Sequence, residues 1–238
     1  CGALAFGAAP SHVAHGGAWG FARVLRLEHA ALRTQSADVL PSATMAAHAA
    51  LAAPTTEAEA AWGGTTRLVA RLRACTATAM QHHVSTCGLF AITGGLGGLG
   101  LRAAAMLAEA GATAIVLSSR SSRMARDGPL LDAQLGATLR LMASNVGDAA
   151  DAVSLLTHSK IVGVLHAAGV LHDKMLRSMA IGDVDAVYAP KALAASHIRR
   201  ALALQPLEAL CLFSSVSSTF GAVGQANYAA GNAYLDAL

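Results

Sequence analysis

The sequence predicts an α/β fold built on a parallel sheet, and three observations carry that prediction. From residue 88 onward, apolar runs of strand length alternate with runs of helical period. A glycine string, GGLGGLG at 94–100, stands between the first of these strands and the first of these helices. The composition agrees: 54% hydrophobic and only 4% aromatic, with 23 glycines among 238 residues, much of the apolar share being alanine. Such a chain suits closely packed helices and tight strand-to-helix turns better than a β-sandwich.

The elements follow in order. Residues 1–85 hold one well-marked helix, GGAWGFARVLRLEHAAL, with Trp19, Ala22, Val24 or Leu25, and Leu27 near helical spacing. A loose Ala-, Pro- and Thr-rich stretch follows, then TTEAEAAWGGTTRLVARLRA, in which RLVARL reads as a strand. This half offers no glycine loop, acid/base pair or nucleophile motif, so its expected role is structural. Beyond it, LFAIT is the first strand of the second half. LRAAAMLAEAG is an amphipathic helix that Gly111 should stop. TAIVLSS and ATLRLMAS read as the second and third strands, AADAVSLLTHS as a helix, IVGVLHAAG as the fourth strand and LEALCLFSS as the fifth. Strands joined through helices of this length imply right-handed crossovers and parallel pairing. The expected organisation is a structural subdomain over 1–85 and a catalytic one over 86–238.

Charge and cysteine content narrow the function classes. The net charge of +3 comes from 17 basic and 14 acidic residues spread along the chain, with no basic run of the kind nucleic acid or a membrane surface requires. Cys1, Cys75, Cys87 and Cys211 form no CxxC pair and read as reduced thiols of a cytoplasmic-type protein. No apolar run would span a bilayer. The chain begins at Cys1 rather than Met and reads as an excised piece, so a missing signal peptide says little about its parent. His166 has no spaced Cys or carboxylate to make it a metal ligand, and His12 with His15 and the pair His82-His83 read as polar loop or surface residues.

The motifs point to a dinucleotide. ITGGLGGLG places Thr93, Gly94, Gly98 and Gly100 in a T-G-x-x-x-G-x-G pattern between strand and helix, where glycines let the backbone approach a pyrophosphate at a helix N-terminus. An NAD-binding fold keeps an acid at the end of its second strand; this chain has LSSRSSR. Arg120, with Ser119 and Arg123 beside it, instead suits a 2′-phosphate, which favours NADPH over NADH. Near the end of the chain, Ser215 closes the fifth strand, and Tyr228 and Asn232 stand four residues apart on one helix face. A free tyrosine titrates near 10 and is a poor acid at neutral pH; a neighbouring cation would make it a usable donor. Of Lys160, Lys174 and Lys191, the last opens KALAASHIRRAL, on a helix before the fifth strand.

TGxxxGxG, the Ser and the Tyr thirteen residues later resemble the short-chain dehydrogenase/reductase superfamily. YAAGN in place of Tyr-x-x-x-Lys, with the Lys on an upstream helix, resembles the ketoreductase domain of modular polyketide synthases and related fatty acid synthases. GVLHAAGVL, LFSSVSS and GQANYAAGNAYLDAL read like that subgroup, and AWGFARVLRLEH and EAEAAWGGTTRLVARL like its degenerate, pseudo-Rossmann structural subdomain. The resemblance thus covers nearly the whole chain. It implies a Rossmann-type sheet with helices on both faces, and reduction of a β-ketoacyl thioester carried on acyl carrier protein. It also implies that Tyr228 protonates the ketone oxygen, Ser215 hydrogen-bonds it, Lys191 contacts the nicotinamide ribose and lowers the Tyr pKa, and Asn232 holds a relay water. NADPH is expected along Thr93, Gly94, Gly95, Leu96, Gly97, Gly98, Leu99 and Gly100, with Ser119 and Arg120, Asn145 and Val146, and His166, Ala167, Ala168 and Gly169. Asn145, in SNVGD, stands where relatives carry an Asp for the adenine amine, with Asp148 as the alternative. His166 stands where many relatives carry Asn.

By the same resemblance, Leu171 and Asp173, in LHD, and Phe220 where the L-forming type carries a Trp imply the D-configured alcohol; His172 and Val223 depart from the D-forming type. A ketoreductase would continue past residue 238 into another strand and a lid helix. Residues 1–238 by themselves are therefore expected to expose apolar surface and to be poorly soluble or inactive. Two rival readings remain: a stand-alone reductase of a free ketone, which the first half disfavours, and a non-catalytic structural ketoreductase, which the intact motifs disfavour. A serine hydrolase fails for want of a G-x-S-x-G elbow.

Overall fold

The structure is a computed structural model, and it describes residues 13–39, 56–63, 66–74, 86–121, 137–157, 160–203 and 205–238. Arg123, His12, His82, His83, Cys1 and Cys75 lie outside the described residues. The chain forms two compact units, one of Cys1–Met80, His172–Asp185 and Ser214–Leu238, the other of Gln81–Leu171 and Ala186–Phe213. Two segments, His172–Asp185 and Ser214–Leu238, cluster with the first unit rather than with the sheet they follow in sequence.

The unit of Gln81–Leu171 and Ala186–Phe213 is a five-stranded parallel sheet. Its strands are β4 (Leu89–Thr93), β5 (Ala114–Ser119), β6 (Thr138–Ala143), β7 (Ile161–His166) and β8 (Ala209–Leu212), in spatial order β6-β5-β4-β7-β8. That is the 3-2-1-4-5 part of the Rossmann order, with its reversal between β4 and β7. Helices cover both faces because successive strand residues point opposite ways. Phe90 and Ile92 face α2 (Gly98–Glu109) through Ala103, Ala104 and Leu107. Ala91 and Val164 face α3 (Ala149–Thr157) and α5 (Ala194–Ala201) through Leu155, Leu156, Ala194 and Ile198. Helix α2 stops where the sequence predicts: Gly111 takes φ +102° and Ala112 N donates to Leu107 O at 2.9 Å. Between α4 (Ile181–Tyr188) and α5 the helix widens into a π-helical turn, Ala189–Leu193, which carries Lys191.

The other unit is organised around two helices. Its sheet is small and mixed: β1 (Ser36–Val39) pairs parallel with β2 (Glu59–Gly63), which pairs antiparallel with β3 (Thr66–Leu68), a strand that shares only Arg67 and Leu68 with the expected RLVARL strand. Helix α1 (Val13–Glu28) lies against α7 (Ala226–Ala237), the helix of Tyr228, with the short α6 (Val216–Phe220) beside them. Their approach is backbone to backbone. A Cβ on Gly16 would stand 2.5 Å from Ala233 O, and one on Gly20 would overlap Ala229 O and lie 2.7 Å from Ala233 Cβ. This packing is the physical reason that α7 joins α1.

Charged groups fix α1 further. Arg23 holds Glu59 of β2 through both of its carboxylate oxygens, at 2.8 and 2.7 Å, while Arg26 takes the same carboxylate and donates to Ser36 Oγ at 3.0 Å. The Arg23 guanidinium also lies 5.9 Å from the Trp19 ring centre and donates to Ser218 O. No helix among the described residues is long and apolar enough to cross a membrane.

Two substitutions of the same kind should have opposite signs. Ala normally gains about 1 kcal/mol over Gly inside a helix. Gly182→Ala in α4, where nothing lies within 4 Å, should raise the melting temperature. Gly20→Ala should lower it, because overpacking against a backbone oxygen costs about 1–3 kcal/mol. Thermal unfolding followed by circular dichroism checks both; a Gly20→Ala protein as stable as wild type would contradict the close packing.

Candidate active site

A cleft of about 320 Å³ opens at the C-terminal ends of β4, β5 and β7, at the reversal of strand order, where open α/β sheets bind ligands. The turn out of β4 requires Gly94: its φ is +67°, and a Cβ there would stand 2.6 Å from Ala168 Cα. A Cβ on Gly100 would meet Gly94 O at 2.6 Å, so the helix start is packed directly on the turn. Gly97, at the N-cap of α2, provides no side-chain cap, which leaves the helix N-terminus open to an anion.

The lining bears on the expected cofactor residues. Gly94, Leu96, Gly97, Ser119, Arg120, Asn145, Val146, Ala167, Ala168 and Gly169 all line the cleft. Ser118, Ser144 and Val170, inside the LSSRSSR, SNVGD and GVLHAAGVL runs, line it too, as does Pro190. The hydroxyls of Ser118 and Ser119 are buried without a protein partner, the state of donors kept for a ligand. With exposed Arg120 at the strand end, they fit a phosphate-bearing dinucleotide. Gly95, Gly98, Leu99 and Gly100 shape the loop from behind or beside the lining.

Three expected residues, Asp148, Thr93 and His166, are occupied otherwise. Asp148, the alternative partner for adenine, caps α3: its Oδ1 accepts from Ala150 N at 2.8 Å and from Asp151 N at 3.2 Å. Asn145 remains at the cleft, its own N–H held by Asp151 Oδ2 at 2.7 Å. His166 is fully buried, and both ring nitrogens have protein partners: Nδ1 with Thr93 Oγ1 at 2.6 Å and Nε2 with Lys191 O at 2.9 Å. Because a carbonyl only accepts, Nε2 carries the proton and Nδ1 accepts from Thr93. Thr93 and His166 therefore stand behind the cleft and tie the ends of β4 and β7 to the π-helical turn.

Lys191 is buried, and its Nζ donates to Phe213 O at 2.8 Å. A Cβ on Gly169 would lie 3.6 Å from that Nζ, so the ammonium stands beside the strip that lines the cleft. Ser215, Tyr228 and Asn232 belong to the other compact unit. Ser215 is the N-cap of α6; its Oγ accepts from Ser217 N at 3.3 Å and pairs with Ser217 Oγ at 2.9 Å. Its carbonyl accepts from Ser218 Oγ at 2.6 Å, a hydroxyl also placed 2.5 Å from Asp236 Oδ2. Asn232 is fully buried; Nδ2 donates to Tyr228 O at 2.9 Å, and Oδ1 has no partner. Tyr228 is half-buried, two turns of α7 away from Leu235. Leu171 is exposed in one unit, while Asp173, in the other, accepts from Gln225 Nε2 at 2.9 Å.

Burial lowers the His166 pKa from 6.5 to about 4, the nearby Lys191 charge adding to the effect while the hydrogen bond to Lys191 O opposes it. The native state then stays neutral while the unfolded chain takes up a proton, so stability is full above pH 6.5 and is lost as pH falls toward 4. At about 1.4 kcal/mol per unit this is on the order of 3 kcal/mol. Urea titrations between pH 4 and 7 should show that slope in the wild type and a flatter one in His166→Gln; an unchanged slope would assign the pH dependence to other groups.

Comparison with known proteins agrees with this architecture. The family model described as KR domain matches residues 88–238. Polyketide synthase GfsA of Streptomyces halstedii is 40% identical over 158 residues, 63% of this chain and 2% of that protein. A phenolphthiocerol/phthiocerol polyketide synthase polypeptide of Mycobacterium tuberculosis is 34% identical over 235 residues, 92% of this chain and 13% of that one. Among solved structures, A-type ketoreductases from a modular polyketide synthase superpose with a TM-score of 0.92 at 34% identity, covering 99% of this chain and 53% of theirs. An A1-type ketoreductase gives 0.91 at 33% identity, covering 99% and 52%. The chain thus spans about half the length of these structures and a small part of the synthases. With the KR model over residues 88–238, the five-stranded order and the Ser, Tyr and Asn on α6 and α7, the chain belongs to the KR domain family, the ketoreductases of modular polyketide synthases in the short-chain dehydrogenase/reductase superfamily.

Proposed function

We propose that this chain is the core of an NADPH-dependent reductase of β-ketoacyl thioesters delivered by an acyl carrier protein within a polyketide synthase. Residues 1–85 serve as its structural subdomain and 86–238 as its catalytic one. The observation that carries this reading over a non-catalytic structural domain is the cleft. Its Ser118 and Ser119 hydroxyls are buried and unpartnered, with Arg120 at the same strand end. A domain kept only for its fold gains nothing from leaving two buried donors unpaired, at about 1–3 kcal/mol each.

NADPH, when bound, supplies the hydride that adds to the β-carbon. The chain's own groups do the rest. Arg120, with Ser118 and Ser119, binds the 2′-phosphate, and Asn145 the adenine edge. The Lys191 ammonium holds the nicotinamide ribose. Tyr228 donates its phenolic proton to the ketone oxygen, and Ser215 hydrogen-bonds that oxygen as charge develops on it. Asn232, whose buried Oδ1 lacks a protein partner, holds the water that returns a proton to Tyr228. The configuration expected from Asp173 and Phe220 is the D alcohol.

NADPH oxidation with a small β-ketoacyl thioester, assayed in the full-length protein, tests this reading. Tyr228→Phe should reduce turnover by at least 100-fold, within the range proton transfer contributes, and leave cofactor binding intact. Arg120→Ala should weaken NADPH far more than NADH. A wild-type protein that binds NADPH yet reduces nothing would return the structural reading to first place, and chiral analysis showing the L alcohol would overturn the stereochemical one.

A further inference from the structure

The chemistry proposed for Tyr228 leaves its neighbour Asn227 without a part, although Asn227 is fully buried. A buried amide must find partners inside the protein or cost about 1–3 kcal/mol for each group left unpaired. Asn227 finds three. Its Nδ2 donates to His172 O at 3.0 Å and to Asp183 O at 2.9 Å, and its Oδ1 accepts from Tyr228 N at 2.8 Å. The amide has one possible orientation here, since the two carbonyls only accept and the Tyr228 N–H only donates. The bond to Tyr228 N also satisfies one of the first-turn donors of α7, which the N-cap residue Gln225 leaves uncapped by its side chain.

The segment that Asn227 grips, His172–Asp183, has its own internal lock. The Asp183 carboxylate takes Lys174 Nζ at 2.7 Å, Ala180 N at 2.7 Å and His172 Nε2 at 2.9 Å. Lys174 foremost, then the Ala180 N–H, lower the Asp183 pKa to about 2, so the lock is closed at neutral pH. Three more ties join this segment to the turn that enters α7. Lys174 N donates to Gly224 O at 2.7 Å, Gln225 Nε2 to Asp173 Oδ2 at 2.9 Å, and Glu28 accepts from Leu176 N at 2.7 Å and from Gly224 N at 2.9 Å. All these groups lie in one compact unit. Asn227 is the only one among these ties that bonds both to the segment and to the backbone of Tyr228 itself.

We infer that Asn227 is a positioning residue that sets Tyr228 in register with the 172–185 segment. Proton delivery and the face of the ketone presented to hydride are thereby governed by one clamp. The inference rests on Tyr228 being the proton donor. It gives Asn227 a kinetic signature that a purely structural residue would lack. Rate and product configuration depend on the clamp, whereas every residue lining the cofactor cleft belongs to the other unit, so NADPH affinity does not.

The test uses Asn227→Ala and Asn227→Asp in the full-length protein. The Asp variant keeps an acceptor for Tyr228 N but turns a carboxylate toward the two carbonyls. NADPH affinity is measured by fluorescence titration, kcat and KM with a β-ketoacyl thioester, and alcohol configuration by chiral chromatography. Both variants should lose about 10- to 100-fold in kcat, the scale of a sub-ångström misplacement. They should bind NADPH within about twofold of wild type and give an eroded enantiomeric ratio. Wild-type kcat and configuration would overturn the inference, and so would NADPH binding lost in step with kcat. Should both variants fail to fold, Glu28→Gln keeps one of the two acceptors at the same clamp and should show the same split with a smaller loss of kcat; a wild-type enantiomeric ratio there counts against the inference. A wild-type protein that turns over no thioester rejects the role of Tyr228, and that of Asn227 with it.

Discussion

Helix α7 is buried along its length except at Tyr228, Asp236 and Ala237, and this burial is the constraint on which the rest of its unit depends. A helix covered on nearly every face must present small residues where other backbones approach. The run ANYAAGNAY does so, with Ala229 and Ala233 against Gly20 and Gly16 of α1. Any polar group placed on such a helix must then be paired or carry a cost. Asn227 is paired three times, Asn232 only through Nδ2. One residue secures the helix against its surroundings, while its neighbour a turn further on keeps an acceptor in reserve. Tyr228, between them in the chain, is where the helix opens.

The placement of Ser215 depends on a longer chain of contacts. Glu59 on β2 holds Arg23, Arg23 donates to Ser218 O, and the Ser218 hydroxyl supports the Ser215 carbonyl. An exposed ion pair contributes about 0–1 kcal/mol. Arg23 and Glu59 are each only 17% exposed, and removing one would leave the other charge partly buried without its partner. Strand β2 thus fixes the helix and the cap on which Ser215 stands.

In the other unit the cleft follows from topology. Reversal of strand order between β4 and β7 leaves a crevice at their carboxyl ends. The glycine turn at Gly94 allows Ala168 to pass close by. The His166 ring, neutral because it is buried, joins Thr93 at the end of one strand to the backbone of Lys191 in the π-helical turn. Single π-helical turns inside α-helices are frequent at functional sites. Here it presents the Lys191 side chain toward Phe213 O while its carbonyl turns to the histidine.

Strand and helix positions were legible in the sequence because periodicity is local. LFAIT is β4 to the residue and Gly111 ends its helix, whereas β3 starts at Thr66 and shares only two residues with the expected RLVARL strand. The glycine loop, Ser119, Arg120 and the Tyr–Asn spacing were legible for the same reason: each is a short motif whose geometry its own element dictates. What only tertiary structure decided are matters of distant partnership. His166 meets Thr93 across 73 residues, Asn227 meets His172 across 55, and Glu28 meets Gly224 across 196. Asp148 caps a helix: its Oδ1 accepts from two N–H groups of the turn that follows it. Helix α7 joined α1 because two glycines on α1 let a backbone come close enough. A sequence states which groups need partners; only the folded chain decides which ones they find.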